Sequence, residues 1–138
     1  MPPSSVKTVS KKAVRRAGEA LRKTDLLIDA EYEEAMAVLS EWRSMYYRPI
    51  DTFQSLVRKK IGVLELKNTI VAQRLKRTPS IIAKLVRFPD MSLDRMQDIG
   101  GVRAVLATVN DVRRLHAAVK DGRHRHFPVI PPKDYIAN

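Results

Sequence analysis

Residues 68–87, NTIVAQRLKRTPSIIAKLVR, decide how this chain is read. Thr69, Ile70, Val71 and Ala72 are β-branched or apolar and run on into the alternating Gln73, Arg74, Leu75 and Lys76, which predicts a strand. Thr78-Pro79 then offers an N-cap and a first-turn proline. A helix should follow, with Ile81, Ile82, Leu85 and Val86 buried, ending near Phe88-Pro89. Two-residue spacing sends Arg74 and Lys76 to one face of the strand, and i to i+3 spacing puts Lys84 and Arg87 on one face of the helix. Four cations can therefore converge. Such a cluster suits a polyphosphate, because arginine presents a planar pair of donors and lysine a compact charge. On charge pattern alone, a solvated basic surface is the simpler reading.

Downstream, residues 92–97 suit a short helix with Leu93 and Met96 inward, and Gly100-Gly101 is expected to break the chain. Residues 102–107 are nearly all apolar, as in a strand covered on both faces. Asn110 is expected to cap a helix carrying Val112, Leu115, Ala118 and Val119, which Gly122 would end. The basic Arg123-His124-Arg125-His126 and a short strand at 127–130 follow. Asp98 stands before the glycine pair, and Arg103 is the second residue of the predicted strand. A carboxylate at a strand edge can hold Mg²⁺, which takes one or two carboxylates together with substrate phosphates and offsets charge on a transferring phosphoryl group. An Asp-x-Gly-Gly by itself more often makes a turn.

Upstream, residues 11–23 are basic and alanine-rich, with apolar positions at Val6, Val9, Ala13, Ala17 and Leu21. They form a weakly amphipathic helix whose basic face is either solvated or in contact with RNA. Tyr32, Met36, Leu39, Trp42 and Tyr46 recur at spacings of three and four, which places them on one helical stripe. Aromatics so spaced are core residues before they are a base-stacking platform. Pro49 should interrupt this helix, and a second resumes through Phe53, Val57, Ile61 and Leu64. The chain thus divides into a leading helical segment, 1–66, and a mixed α/β part, 67–138.

With 138 residues, one hydrophobic core is affordable and two are not. Cysteine is absent, which excludes disulfides and thiolate metal sites. No apolar run approaches the roughly 18 residues that span a bilayer, and the first ten residues lack the core of a secretory signal, so a cytoplasmic location and no membrane are expected. The formal charge of +11 attracts polyanions: nucleotides, nucleic acid and anionic surfaces.

Three segments carry a resemblance. They are 73–87 (Gln73-Arg74-Leu75-Lys76 through Lys84-Leu85-Val86-Arg87), Asp98-Ile99-Gly100-Gly101-Val102-Arg103-Ala104-Val105, and Lys133-Asp134-Tyr135-Ile136. In order and spacing they resemble the RelA/SpoT synthetase domain. The resemblance implies an α/β (α+β), nucleotidyltransferase-like mixed sheet flanked by helices and preceded by N-terminal helices. It implies transfer of pyrophosphate from ATP to the 3′ hydroxyl of GDP or GTP, giving ppGpp or pppGpp. By position, Arg74, Lys76, Lys84 and Arg87 resemble the ATP contacts, Asp98 the magnesium ligand, and Arg103 the arginine of the following strand. Lys133 and Asp134 resemble the start of the acceptor-side segment. Arg113 or Arg114 would lie near the ATP.

The family's segment continues into a guanine-stacking tyrosine and a second catalytic glutamate, whereas this sequence ends at Asn138. The expectation is therefore an incomplete sheet and an incomplete synthetase, inactive alone, with partial ATP affinity. Two alternatives are a basic nucleic-acid or ribosome-binding module and a tRNA-modifying toxin relative on the same scaffold. His116, His124 and His126 lack the companion carboxylates of a metal hydrolase. Unpaired strand edges would favour a homo-oligomer.

Overall fold

A computed structural model describes residues 8–23, 29–122 and 131–136. Among them the chain is mixed, with five α-helices, two 3₁₀ turns and a two-stranded sheet. The helices are α1 (Lys11–Arg22), α2 (Asp29–Ser44), α3 (Tyr47–Val63), α4 (Thr78–Arg87) and α5 (Val109–Lys120); the strands are β1 (Ile70–Leu75) and β2 (Gly100–Val105).

Ser10 starts α1, its side chain accepting from the Ala13 amide at 3.1 Å. Val14, Ala17, Gly18 and Leu21 form its buried stripe, so the helix faces inward on Val14 and Gly18 rather than on Ala13. Gly18 is there for contact: a Cβ would lie 2.7 Å from the Leu93 Cβ. The expected stripe of α2 holds at Leu39 and Trp42, which are buried beside Ala35, and fails at Tyr32, which is 39% exposed. Trp42 and Tyr46 meet edge to face, ring centroids 5.5 Å apart. Pro49 does not separate two helices as expected. It sits in the first turn of α3, where a missing amide costs nothing, and the break lies earlier, around Met45 and Tyr46.

β1 and β2 pair antiparallel, from Ile70 opposite Val105 to Leu75 opposite Gly100. Several expectations are corrected here. Gly100-Gly101 opens β2 instead of breaking the chain before it. A Cβ on Gly100 would run into the terminal methyl, Cδ1, of Ile50 on α3, so that side chain would have to move aside. β2 is covered on one face only: its residues alternate, with Gly101, Arg103 and Val105 exposed and Gly100, Val102 and Ala104 partly covered. The apolar run 102–107 thus misleads, because small and β-branched residues occupy an open face. The cap of α4 is Arg77, not Thr78, and that of α5 is Thr108, whose hydroxyl accepts from the Asp111 amide at 3.1 Å, not Asn110. α5 runs to Lys120 with Asp121 as its C-cap, so Gly122 is the first residue past the cap. Val86 is 53% exposed, while Ile81 and Leu85 are buried and Ile82 is partly buried against the same cluster. The predicted helix at 92–97 is two 3₁₀ turns, Leu93–Arg95 and Gln97–Ile99, although Leu93 and Met96 do point inward. The predicted strand at 127–130 and the basic residues before it lie outside the described residues.

Two apolar clusters hold these elements together. The larger joins Val14, Leu21, Leu39 and Trp42 of the leading helices to Ile81, Leu85, Leu93, Met96 and Ile99. It therefore draws residues from both sides of position 66. The smaller, around Val57, Ile61, Leu66 and Leu115, seats α3 and α5 against Val71, Val102 and Ala104 of the sheet. Arg22 reinforces the first cluster: its Nε donates to the Leu85 carbonyl at 2.8 Å and its Nη2 to the carbonyls of Phe88 and Met91. These carbonyls lie at or just past the C-terminus of α4, where helix acceptors lack intrahelical partners and a cation is favoured.

Candidate functional site

The uncovered face of the sheet carries Ile70, Ala72 and Arg74 from β1, with Gly101, Arg103 and Val105 opposite them on β2. Arg74 faces Gly101 and Arg103 faces Ala72, so each arginine stands beside a small residue and the two are diagonal neighbours. A Cβ on Gly101 would meet no atom within 4 Å, so packing does not demand glycine there; its effect is an open floor next to Arg74.

At one end of this face the chain leaves β1 at Lys76. Its amide donates to the Ile99 carbonyl at 2.6 Å, and its own carbonyl accepts from Arg43 Nε of α2 at 3.0 Å. Lys76 is thereby fixed between the second 3₁₀ turn and α2. That turn presents Asp98, while Lys84 arrives from the last turn of α4. Both lysines converge on one carboxylate: Lys76 Nζ lies 2.7 Å from Asp98 Oδ2 and Lys84 Nζ 2.8 Å from Asp98 Oδ1. The lysine side chains are 13% and 25% exposed and that of Asp98 49%, so the ion pairs have one side in protein and one in water. Partial burial pushes the Asp98 carboxyl up; the hydrogen bonds and charges of Lys76 and Lys84 outweigh it and hold the group down at about 2.

Arg74, Lys76, Asp98 and Arg103 line one open groove of about 400 Å³, with the two glycines of β2 in its floor. Of the residues expected at the site, these four come together there, and Lys84 joins them through Asp98. Arg87 instead lies over the Phe88 ring, 5.3 Å from its centroid. Asp134 pairs with Arg113 of α5 and accepts from the Ile136 amide at 3.0 Å. Lys133 beside it is exposed, and neither lines the groove. Arg114 Nη2 reaches the Leu64 carbonyl at 3.3 Å, which ties α5 to the end of α3.

Two supporting residues carry no motif of their own. Arg43 lies on the flank of α2 and acts on the backbone of Lys76, a contact between residues 33 apart that no local pattern foretells. Ile50 does the same for Gly100 through packing.

Four cations around one carboxylate favour an anionic guest. Among the described residues no three His, Cys, Asp or Glu side chains gather at a point that could hold a metal ion. Asp98 spends both oxygens on ammonium groups. Mg²⁺ binds carboxylate oxygens together with substrate phosphates, so this donor set as folded does not fit a bare divalent cation. Phosphate oxygens between the two lysines and the two arginines do fit it. With both lysines in place the Asp98 carboxyl is held at about 2, so it is charged near neutral pH. No helix of the described residues is long and apolar enough to cross a membrane.

No protein-family model matches the sequence, and no curated protein sequence matches it.

Proposed function

We propose that the groove binds the polyphosphate of a nucleoside triphosphate, and that the chain is a RelA/SpoT-like pyrophosphokinase segment on a nucleotidyltransferase-like scaffold. The observation that carries this reading is the convergence of Arg74, Lys76, Lys84 and Arg103 about one open face of a two-stranded sheet. In the proposed reaction the 3′ hydroxyl oxygen of GDP or GTP bonds to the β-phosphorus of ATP. The bond from that phosphorus to the α–β bridging oxygen breaks, AMP leaves, and the hydroxyl proton passes to solvent. The described residues would supply the donor side: arginines against the phosphate oxygens and lysines against charge building on the bridging oxygen. Lys133 and Asp134 would lie towards the acceptor. Magnesium enters this proposal only as a companion of the phosphate chain, whose oxygens supply ligands that the groove lacks.

Titration of a fluorescent ATP analogue tests it. Lys84→Gln and Arg103→Gln should each weaken binding by about tenfold, the weight of one charge-assisted contact. Unchanged affinity in both would refute the groove as the binding site.

A second reading, an RNA-binding module, rests on the exposed Lys11, Lys12 and Arg16 of α1 and on the +11 charge. It requires log affinity for RNA to fall steeply with log salt, and to fall further when these three become glutamine. A flat salt response would exclude it.

A further inference from the structure

Asp98 presents its two oxygens 2.7 and 2.8 Å from two separate lysine ammonium groups, a spacing that two oxygens of one phosphate could also meet. The carboxylate comes from a short turn, Gln97–Ile99, in which Asp98 itself has non-helical angles of φ −97° and ψ 26°. The lysines come from the end of β1 and from α4, and are the more covered partners, whereas Asp98 is about half exposed. The exposed partner is the one free to swing away. Arg74 and Arg103, which line the same groove, have no carboxylate partner of this kind among the described residues. The groove thus contains two ready cations and two occupied ones.

We infer that Asp98 is an internal counter-ion that competes with phosphate for Lys76 and Lys84, so that a polyphosphate must displace it to engage all four cations. This rests on the groove being a polyphosphate site, and adds to it how that site is controlled. Two consequences separate it from a metal-ligand role. Binding of a metal-free polyphosphate should be improved, not abolished, by neutralising Asp98. The improvement should also be larger for a long phosphate chain, which spans from the arginines to the lysines, than for orthophosphate, which can remain with the arginines alone.

The physical weight of the effect comes from one like-charge repulsion together with the release of two ion pairs. A carboxylate about 4 Å from a phosphate charge costs roughly 1 kcal/mol even in bulk water, which is about fivefold in affinity.

The experiment is a calorimetric titration of the full chain with inorganic tripolyphosphate and with orthophosphate, in EDTA, at low and moderate salt. Wild type, Asp98→Asn and Asp98→Ala are compared, and circular dichroism establishes that each is folded. Binding of tripolyphosphate should tighten about fivefold or more in both variants, with a smaller change for orthophosphate. Equal or weaker binding by the folded variants would overturn the counter-ion role and leave the groove standing as an anion site. If neither wild type nor variants bind tripolyphosphate, the polyphosphate reading itself falls and the counter-ion role falls with it. Two substitutions are used because asparagine keeps the shape of the turn and alanine removes every hydrogen bond to the lysines. Agreement between them assigns the gain to lost charge.

Discussion

Replacing Gly18 with alanine sets helix propensity against packing, and the two predict opposite signs. Gly18 lies inside α1, where alanine is better by about 1 kcal/mol on propensity alone. The added Cβ, however, would lie 2.7 Å from the Leu93 Cβ and 3.4 Å from the Leu93 amide nitrogen. Neither atom is the tip of a flexible side chain, and Leu93 is fully buried, so rotation cannot relieve the contact. The 3₁₀ turn bearing Leu93 must withdraw by something under 1 Å, against the core formed by Ile81, Leu85, Met96 and Ile99. Overpacking of this kind costs about 1–3 kcal/mol, so after the gain in propensity the net loss should be up to about 2 kcal/mol. In urea the midpoint should fall by up to about 1 M with an unchanged slope. Gly62 of α3 is the control: a Cβ there would meet nothing within 4 Å, so Gly62→Ala should be neutral or stabilising by up to about 1 kcal/mol. If Gly18→Ala proves as stable as Gly62→Ala, the close packing of α1 on the Leu93 turn is wrong.

Three further outcomes are expected. Arg22→Ala should destabilise by about 2–3 kcal/mol in thermal or urea unfolding, because it takes the guanidinium donor from the carbonyls of Leu85 and Met91, while the Phe88 carbonyl keeps the Met91 amide; Arg22→Lys should recover little, having lost the planar fork. Asp98 titrates at about 2 in the folded chain against an ordinary 3.8, so its ion pairs stabilise fully above about pH 4 and this stability is lost as the pH falls towards 2. Half exposure reduces the contribution to about 1 kcal/mol, and Asp98→Asn should flatten that part of the stability curve; an unchanged curve would count against the ion pairs. Gly100→Ala should cost up to about 1 kcal/mol, because its Cβ meets the Ile50 terminal methyl, which can move aside, and this cost should return in the Ile50→Val double variant, which lacks that methyl. Additive effects in that cycle, read from urea midpoints, would place the two residues apart.

The sequence disclosed the elements better than their surroundings. The strand at β1 and the helix at α4 followed from a change in period, whereas Lys76, expected on one strand face with Arg74, lies just past the end of β1 and lines the groove from there. Capping was less legible. Thr78 is followed by proline, a helix-start signature, yet the cap falls on Arg77 with no side-chain hydrogen bond, while Thr108 caps α5 two residues before the expected Asn110. At β2, Ala104 and Val105 would suit a strand buried on both faces as well as one on an open sheet, because alanine and valine tolerate both settings. Tertiary contacts lay outside any local pattern. The two glycines whose Cβ would collide, Gly18 and Gly100, meet partners 75 and 50 positions away, at Leu93 and Ile50. Arg43, which holds the Lys76 carbonyl, looks in sequence like any solvated helix arginine.

The groove sits where the two apolar clusters meet, and its charged groups arrive from different sides of that seam. Arg74 and Arg103 ride on the sheet, whose other face is packed by α3. Lys84 and Asp98 are carried by α4 and by the 3₁₀ turn that ends in Ile99, both of which pack into the cluster shared with α1 and α2. The leading helices seat those carriers through specific contacts: Arg15 grips Asp94 at 2.9 Å, Gly18 admits Leu93, and Arg22 holds the end of α4. Lys76 belongs to both sides, following β1 while its carbonyl is held by Arg43 of α2. The lysine–aspartate pairs fix one side of the groove internally, and its width is set by the segment through Lys76, by the continuous chain from Asp98 through Ile99 into Gly100 of β2, and by Leu75 of β1 packed against the larger cluster. A polyphosphate bridging arginines and lysines would bind both sides at once, so its affinity should depend on the leading helices even though, among the described residues, none of their side chains lines the groove.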